Sequence, residues 1–335
     1  MKKYFAFTFF LCIFLWRAGG DCLAQAPREG CITASDGVRL FYKVVGSGAE
    51  TLVAVHGGPG GTLESILPDL EPLAKNRRLI YYDQRGNGRS DLITDGEKLS
   101  VRKHIEDLQC VRQFFKLEKM TLLGNSWGGL LIGYYAAAHP DRVERLILHS
   151  PGPPSSVLRS EFDDELQRRL RRLYTEEEIK RLSAVVNIES WLKSPDPRAV
   201  CREFYKTLLP VYVANVESMK QFKGDVCAGP EDAVRNHRLV MDRIGRSLGN
   251  YNLIPSLSVV KAPVLVIHGI ADPIPIAASE AWASALPNAR LLIINGAGHI
   301  PQAEQPEIFF KAVETFLQGD FPPDAKKIPT STEKN

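Results

Sequence analysis

The chain has 335 residues, a formal net charge of +3 and an apolar fraction of 44%. This length would accommodate two domains, but single α/β domains with an insertion reach the same size, and the chain is long enough to bury a large core. Because the charge is nearly balanced and the basic residues are scattered, the composition is typical of a soluble globular protein and gives no sign of nucleic acid binding.

The N-terminus has the pattern of an export signal. Lys2 and Lys3 precede an apolar run from Tyr4 to Trp16, which is too short to span a bilayer comfortably, and small residues follow it. We expect residues 1–24 to be a signal peptide, so that the mature protein is periplasmic or secreted. The alternatives are an uncleaved anchor and a lipoprotein acylated on Cys22, and either would attach the protein to a membrane through its N-terminus.

Four cysteines remain after such a cleavage, namely Cys31, Cys110, Cys201 and Cys227. Four cysteines allow three pairings, and the sequence does not choose among them. We regard Cys201 with Cys227 as the first pair to test, because both lie in the same middle segment. Four unpaired thiols are the alternative.

Short apolar runs alternate with helical patterns through most of the chain. A hairpin is predicted first, with its turn at Ser35–Gly37. The later strands are predicted at Thr51–His56, Leu79–Asp83, Thr121–Gly124, Arg145–His149, Pro263–His268 and Arg290–Ile294, with a helix at Val101–Phe115. This alternation predicts an α/β fold with a mostly parallel central sheet and helices on both sides.

The alternation is interrupted between residues 151 and 250, where the chain is charged and helical. Thr175 and Glu178 form a predicted capping box in this segment. We interpret the segment as a helical cap inserted between two parts of the core, residues 25–150 and 251–319. Residues 320–335 lack periodicity, and we expect a disordered tail there.

The motif Gly-Asn-Ser-Trp-Gly at residues 124–128 stands between a predicted strand and an apolar helix. A Gly-x-Ser-x-Gly motif in that context is typical of a nucleophile elbow, a tight turn that exposes a serine hydroxyl at the carboxyl edge of a sheet. The sequence therefore predicts Ser126 as a nucleophile.

A serine nucleophile needs a base, and the base needs an orienting acid. His299 lies in a glycine-rich loop just past the last predicted strand, and Asp272 directly follows the strand before it. We expect these two residues to complete a triad with Ser126. His268 and His139 are interpreted as structural, and Asp242 lies upstream in the cap, where it is less well placed to act as the acid.

Acyl transfer also needs hydrogen-bond donors for an oxyanion. The backbone N–H of Trp127, directly after the nucleophile, is one candidate, and the N–H of Gly58 in the loop after the first parallel strand is the second, with Gly57 as the alternative. The chain has no phosphate-binding glycine loop and no cysteine and histidine spacing typical of a metal site. We therefore expect the reaction to need no cofactor and no metal.

These motifs together resemble the proline iminopeptidase branch of the α/β-hydrolase superfamily. The resemblance rests on His56–Gly60, Tyr82–Ser90, the Ser-Trp-Gly elbow, Asp272 and His299, and it covers roughly residues 30–319. It implies the α/β-hydrolase fold with an inserted cap. The chain departs from the branch at Asn125 and Gly129, where the family usually has glycine and serine.

The resemblance also implies an acidic site for the free amino terminus of a substrate, because the cap of that family carries glutamates that pair with the ammonium. Glu217 is similar to one such position, and the sequence offers no second such glutamate.

Asp83, Arg85 and Arg89 are interpreted as residues that fix a loop through ion pairs and hydrogen bonds.

Three functions are compatible with these residues. The first is an exported aminopeptidase that releases N-terminal residues from short peptides, and the second is a carboxylesterase or related hydrolase that acts on a small ester. The third is a non-catalytic binding protein, which a complete set of nucleophile, acid, base and oxyanion loop disfavours. The oligomeric state and the residue preference do not follow from the sequence.

Overall fold

A computed structural model of the protein describes residues 28–329, and eight strands within that range form one sheet. The strands are β1 (Glu29–Thr33), β2 (Arg39–Val45), β3 (Glu50–Val55), β4 (Arg77–Tyr82), β5 (Met120–Asn125), β6 (Val143–His149), β7 (Val264–Gly269) and β8 (Ala289–Ile294). Their order across the sheet is β1-β2-β4-β3-β5-β6-β7-β8. The predicted hairpin of β1 and β2 is antiparallel, β2 pairs antiparallel with β4, and the other pairs are parallel.

Helices cover both faces of this sheet and form the insertion between β6 and β7. They are α1 (Leu67–Leu70), α2 (Val101–Phe114), α3 (Trp127–Ala138), α4 (Ser156–Leu173), α5 (Glu176–Val186), α6 (Ile188–Leu192), α7 (Pro197–Leu208), α8 (Glu231–Leu248), α9 (Ile276–Ala285), α10 (Pro301–Glu304) and α11 (Pro306–Leu317). The predicted α/β class with a mostly parallel sheet is therefore confirmed.

The continuous apolar strands are explained by burial on two faces. In β3, Val53 and Val55 belong to the core cluster that includes Leu131 of α3, whereas Leu52 and Ala54 belong to the cluster on the opposite face. All four side chains are almost fully buried. Successive residues of a strand point to opposite faces, so a sheet covered on both sides needs apolar residues at every position.

The cap consists of helices α4–α8, residues 156–248, and has a core of its own. Trp191 and Phe204 lie at the centre of this cluster with their rings 5.9 Å apart. The capping box of Thr175 and Glu178 is present at the start of α5. The cap therefore packs as a structured unit and places its residues above the carboxyl edge of the sheet.

A disulfide joins Cys201 of α7 to Cys227, with their Cα atoms 5.9 Å apart. This is the pair that we regarded as the first to test. Cys31 and Cys110 are free thiols. The bridge fixes α7 to the segment that precedes α8, and both pieces contribute to the wall of the site described below.

The prediction of a disordered tail from residue 320 is wrong for residues 320–329. Lys326 and Leu291 of β8 exchange two backbone hydrogen bonds, and the ring of Phe321 packs 5.3 Å from that of Phe316. Ala325 is buried. The segment is held by one backbone bridge and one aromatic contact. Neither contact produces a repeating pattern in the sequence, so the segment could not be predicted as ordered from periodicity.

Residues 1–27 and 330–335 lie outside the described residues, and with them the predicted signal peptide at 1–24 and the end of the tail. Between residues 28 and 329, no helix has the length and apolar character needed to cross a membrane.

Candidate active site

Ser126 occupies the turn between β5 and α3 with φ 55° and ψ −119°. A positive φ is strained for a residue with a side chain, so the surrounding structure must impose it. Gly124 and Gly128 permit this geometry, because a Cβ on Gly124 would overlap the carbonyl oxygen of Gly128 and a Cβ on Gly128 would overlap that of Val55. The backbone has the sharp strand-to-helix turn predicted for this motif.

Asp272 and His299 are brought together from two neighbouring strands. Asp272 lies three residues beyond the end of β7 and His299 five residues beyond the end of β8, and both side chains are buried. Nδ1 of His299 lies 2.9 Å from Oδ2 and 3.1 Å from Oδ1 of Asp272. Because Nδ1 faces a carboxylate, the neutral imidazole carries its proton on Nδ1. Its Nε2 is then free to accept a proton.

The charge state of Asp272 follows from two opposing effects. Burial raises the pKa of this carboxyl, but the neighbouring imidazole of His299 and its hydrogen bond outweigh burial, so the pKa of Asp272 is lowered. The N–H of Ile274 also donates to Oδ1 at 2.9 Å. Asp272 is therefore held as an anion facing His299.

Ser126 and His299 line the same cavity, which we call the first cavity. It has a volume of about 140 Å³ and opens over Ser126, His299, Gly57 and Gly58. The cap supplies its other wall, which is mainly aromatic and aliphatic and includes Phe204, Leu208, Tyr212, Phe222 and Val226. Of the described residues that line the first cavity, none is Asp or Glu. The cavity thus suits an uncharged group.

The two predicted oxyanion donors lie on either side of Ser126. Trp127 is the first residue of α3, so its backbone N–H has no acceptor within the helix. Gly58 has φ 122° and lines both the first cavity and a second one that also contains Ser126. Gly57 is close as well, because a Cβ added to it would lie 3.2 Å from the Cβ of Ser126.

Gln84 joins the glycine loop to the elbow, a role that we did not predict from the sequence. Its Oε1 accepts a hydrogen bond from Nε1 of Trp127 at 2.8 Å, and its Nε2 donates to the carbonyl of His56 at 2.9 Å. Its backbone N–H donates to Nε2 of His56 at 3.1 Å. The signal available was its place two residues after the end of β4, which is the neighbour of β3 in the sheet. Gln84 holds the two donor-bearing segments at a fixed separation.

The charged neighbours of Gln84 fix the loop, as interpreted from the sequence. The carboxylate of Asp83 accepts hydrogen bonds from the N–H groups of Leu63 and Arg89, each at 2.8 Å. Arg85 is buried and forms a bidentate pair with Asp107. Neither Asp83 nor Arg85 lines the first cavity.

The cap is hydrogen-bonded to both loops that carry the acid and the base. Arg169 of α4 donates to the carbonyls of Val211, Ala271 and Asp272 at 3.1, 2.6 and 3.1 Å. The N–H of His299 donates to the carbonyl of Tyr212 at 2.8 Å, and the rings of the two residues are 5.0 Å apart. The cap therefore positions the acid and the base as well as covering them.

Glu217 lies away from the first cavity. Its side chain is 71% exposed, it stands in a short 3-10 helix, and its carboxylate pairs with Lys220. A substrate ammonium in the cavity would need a buried carboxylate, and this one faces solvent. The resemblance to the family concerned only the place of Glu217 in the chain. It gave no information on whether the side chain faces the cavity or the solvent.

The remaining residues considered from the sequence have other surroundings. His268 is buried, with Nδ1 3.0 Å from Oγ of Ser279, and His139 caps the C-terminus of α3. Asp242 lines the second cavity and pairs with Arg246. Within residues 28–329, no group of three or more His, Cys, Asp or Glu side chains is arranged to hold a metal ion.

The sequence is similar to several known proteins. A family model described as alpha/beta hydrolase fold matches residues 50–306. The chain is 27% identical over 306 residues to a proline iminopeptidase of Heyndrickxia coagulans, which covers 86% of this chain and 98% of that protein. It is 28% identical over 309 residues to a 2-hydroxy-6-oxononadienedioate/2-hydroxy-6-oxononatrienedioate hydrolase of Cupriavidus pinatubonensis, with 90% and 99% covered.

Solved structures show the same fold. The proline iminopeptidase of Mycobacterium smegmatis superposes with a TM-score of 0.62 at 21% identity, covering 87% of this chain and 97% of that one. An esterase from Exiguobacterium antarcticum gives a TM-score of 0.63 at 21% identity, covering 86% and 99%. Relatives with different substrates are thus equally similar, and fold does not choose between them.

Proposed function

Because the chain belongs to the α/β-hydrolase fold family, we propose that it is a serine hydrolase that cleaves a small carboxylic ester through an acyl-enzyme. The observation that carries the proposal is the arrangement at one edge of the sheet, where the strained turn of Ser126 and the buried Asp272–His299 pair meet at a single cavity. The nucleophile follows β5, the acid follows β7 and the base follows β8, and this order along the chain and the sheet suits acyl transfer.

The proposed reaction has two balanced halves. In the first, Nε2 of His299 takes the proton of the Ser126 hydroxyl while Oγ attacks the ester carbonyl, and the same proton then passes to the departing alcohol as the carbon–oxygen bond breaks. In the second, His299 takes a proton from water, which attacks the acyl-enzyme, and returns it to Oγ. Ester and water give acid and alcohol, and Ser126 is restored.

The other groups stabilise charge that develops during both halves. The N–H groups of Trp127 and Gly58 would hold the tetrahedral oxyanion, and removal of one such donor costs about 3 to 4 kcal/mol in comparable enzymes. Asp272 stabilises the imidazolium that forms on His299. The chemistry of this site requires only these protein groups and water.

An ester is favoured over a peptide with a free amino terminus by the first cavity. Its described lining contains no carboxylate, and Glu217 is exposed and paired with Lys220. The one carboxylate among the described residues that line the second cavity, Asp242, is already paired with Arg246. An ammonium placed against aromatic and aliphatic walls would be buried without a partner, which is costly. An uncharged alcohol or acyl group would bury apolar surface instead.

Aminopeptidase activity is the second candidate. It is favoured by the similarity to proline iminopeptidases over nearly the full length of those proteins. An enzyme of this kind would have to bind the ammonium through an acid other than Glu217.

We also propose that the protein works outside the cytoplasm. The lysines and short apolar run at the N-terminus support export. The Cys201–Cys227 disulfide supports it independently, because disulfides persist mainly in oxidising compartments. Envelope protein that begins near Gln25 is expected, and soluble cytoplasmic protein that retains Met1 would contradict export.

The decisive experiment compares three substrates: a nitrophenyl butyrate, a prolyl arylamide, and the same arylamide with its amine acetylated. We expect wild type to hydrolyse the butyrate with the highest kcat/KM and to be labelled by a fluorophosphonate. Ser126→Ala should lose both properties, whereas Ser284→Ala, on α9 away from the cavity, should keep them. A preference for the free prolyl amide, abolished by acetylation, would establish the aminopeptidase instead. Turnover and labelling that persist in Ser126→Ala would refute the whole assignment.

A further inference from the structure

A second cavity is lined by Ser126 but not by His299. It has a volume of about 300 Å³ and shares Gly58 and Ser126 with the first cavity. Its wall differs in chemistry, because the side chains of Arg159 and Arg238 line it together with Asp242. The nucleophile thus stands between an apolar cavity and one that carries charges.

Arg238 forms no ion pair with a carboxylate of residues 28–329. Its guanidinium donates to the carbonyl of Val186 at 3.0 Å and to Sδ of Met241 at 3.4 Å, and it lies 5.8 Å from the centre of the Phe204 ring. Among the described residues no carboxylate oxygen comes within 4.0 Å of it. Burial lowers its pKa, and the more distant charge of Asp242 opposes that effect only in part. A partly buried guanidinium normally has an anionic partner, so this one has spare capacity to bind an anion.

The other two charges of the second cavity are already paired. Nε of Arg159 lies 2.9 Å from the carboxylate of Asp163, and Nε of Arg246 lies 2.8 Å from that of Asp242. Asp242 is thus paired on its own helix and acts on Arg238 only from a greater distance. The charged side chains that line the cavity are two arginines and one aspartate, so their net charge is positive. A substrate anion would meet an attractive field there, and a substrate cation would not.

The position of His299 indicates which part of an ester enters each cavity. The imidazole must deliver its proton to the departing alcohol oxygen, so the alcohol has to lie on the side of His299. His299 lines the first cavity and not the second. The alcohol therefore fits the apolar first cavity, and the acyl chain extends from Ser126 into the second.

We propose that the second cavity binds a carboxylate at the far end of the acyl chain through Arg238, so that the preferred substrates are monoesters of dicarboxylic acids with an apolar alcohol. The inference rests on the proposed esterase function and specifies its substrate class. Arg238 would form a charge-assisted hydrogen bond with the distal carboxylate, and its planar guanidinium suits a bidentate contact. Arg159 is paired with Asp163, so the proposed contact depends on Arg238.

The test uses pairs of nitrophenyl esters that differ only in the distal charge. Mono-nitrophenyl adipate and suberate are compared with their neutral methyl esters on wild type, Arg238→Gln, Arg238→Lys and Arg243→Gln. We expect wild type to prefer the anionic member of each pair in kcat/KM. That ratio should fall about ten- to a hundredfold in Arg238→Gln and recover in part in Arg238→Lys. Arg243→Gln, exposed on the same helix and outside the cavity, should match wild type.

The outcomes separate this inference from the proposed function. If Ser126-dependent hydrolysis occurs but the neutral ester is preferred, or if Arg238→Gln leaves the ratio unchanged, the esterase stands and the anion subsite is wrong. A general loss of folding in Arg238→Gln would lower both rates together, and inhibition of neutral ester hydrolysis by free suberate would then decide. Suberate that fails to inhibit wild type at millimolar concentration would overturn the subsite. If wild type hydrolyses none of these esters, both proposals fail.

Discussion

The carboxylate of Glu304 accepts a hydrogen bond from the backbone N–H of Gly298 at 2.6 Å, one residue before His299. Its other oxygen accepts the N–H of Ala214 at 2.7 Å. One side chain thus ties the loop of the proposed base to the segment that follows α7. Glu304 does not line either cavity, so we regard it as a positioning residue.

Glu304→Gln should lower kcat about tenfold and change KM little, because an amide offers only one oxygen to two N–H donors and the loop of His299 loses its fixed position. Glu307→Gln, at an exposed position in the first turn of the next helix, α11, is the matched control. Steady-state kinetics and thermal unfolding should be measured together. A variant that loses stability while kcat remains unchanged would show that Glu304 has no role in positioning.

Asp272→Asn should reduce kcat by roughly four orders of magnitude at neutral pH, the size seen when a triad acid elsewhere becomes an amide. An amide does not stabilise an imidazolium, and it can turn its NH₂ group toward His299. Because the pKa of Asp272 is lowered, the wild-type side chain stays ionised well into the acid range and its own titration should leave activity near neutral pH unaffected. Activity near wild type in Asp272→Asn would point to a different acid.

Gln84→Ala should lower kcat for ester hydrolysis about tenfold, because the segments of Gly58 and Trp127 would lose their common anchor. Gln113→Ala, an exposed glutamine at the end of α2, provides the control. The loss should be larger for kcat than for fluorophosphonate binding. Equal kinetics in the two variants would mean that the loop is held without Gln84.

His149 predicts a pH dependence of stability. Burial lowers the pKa of this imidazole to about 3, aided by the nearby His299, whereas the unfolded value is near 6.5. Between these values the unfolded chain binds a proton that the folded chain does not, so the stabilisation is complete above pH 6.5 and is lost as the pH falls. By pH 4 the free energy of unfolding is lower by about 3 kcal/mol than at pH 7 on account of this one group.

His149→Leu should therefore flatten the pH profile of the free energy of unfolding by about that amount between pH 7 and pH 4, whatever it does to stability at pH 7. Denaturant titrations at several pH values measure this. His139→Leu removes a half-exposed histidine and should change the slope much less. Identical slopes for both variants would mean that His149 is not the group responsible.

Local sequence patterns were sufficient to predict the strands of the sheet and to select the residues of the proposed triad. Ser126 stands in a short motif, and Asp272 and His299 each follow an apolar run, so strand periodicity and chain order pointed to one edge of a sheet. Contacts between distant segments could not be predicted in this way. Arg169 reaches the loop of Asp272 across about a hundred residues, and nothing near it in the sequence marks that partner.

The direction in which a cap side chain points could not be predicted from the sequence either. Glu217 has a residue type and a location in the chain that suit amine binding, yet its segment faces solvent and its carboxylate pairs with Lys220. Arg238, in contrast, points toward a cavity, and nothing in the sequence indicated this. It lies in a charged helix whose other arginines are mostly exposed, and only the packed structure distinguishes it from them.

The short bridge between Leu291 and Lys326 has a consequence for self-association. β8 is the last strand of the sheet, and such a strand presents unpaired backbone groups to which a second chain could add. Lys326 occupies those groups at Leu291 and places a lysine at the rim. A chain that ends at Gly319 would leave this edge open, and we expect it to aggregate at concentrations where the full chain remains dispersed, as light scattering can measure.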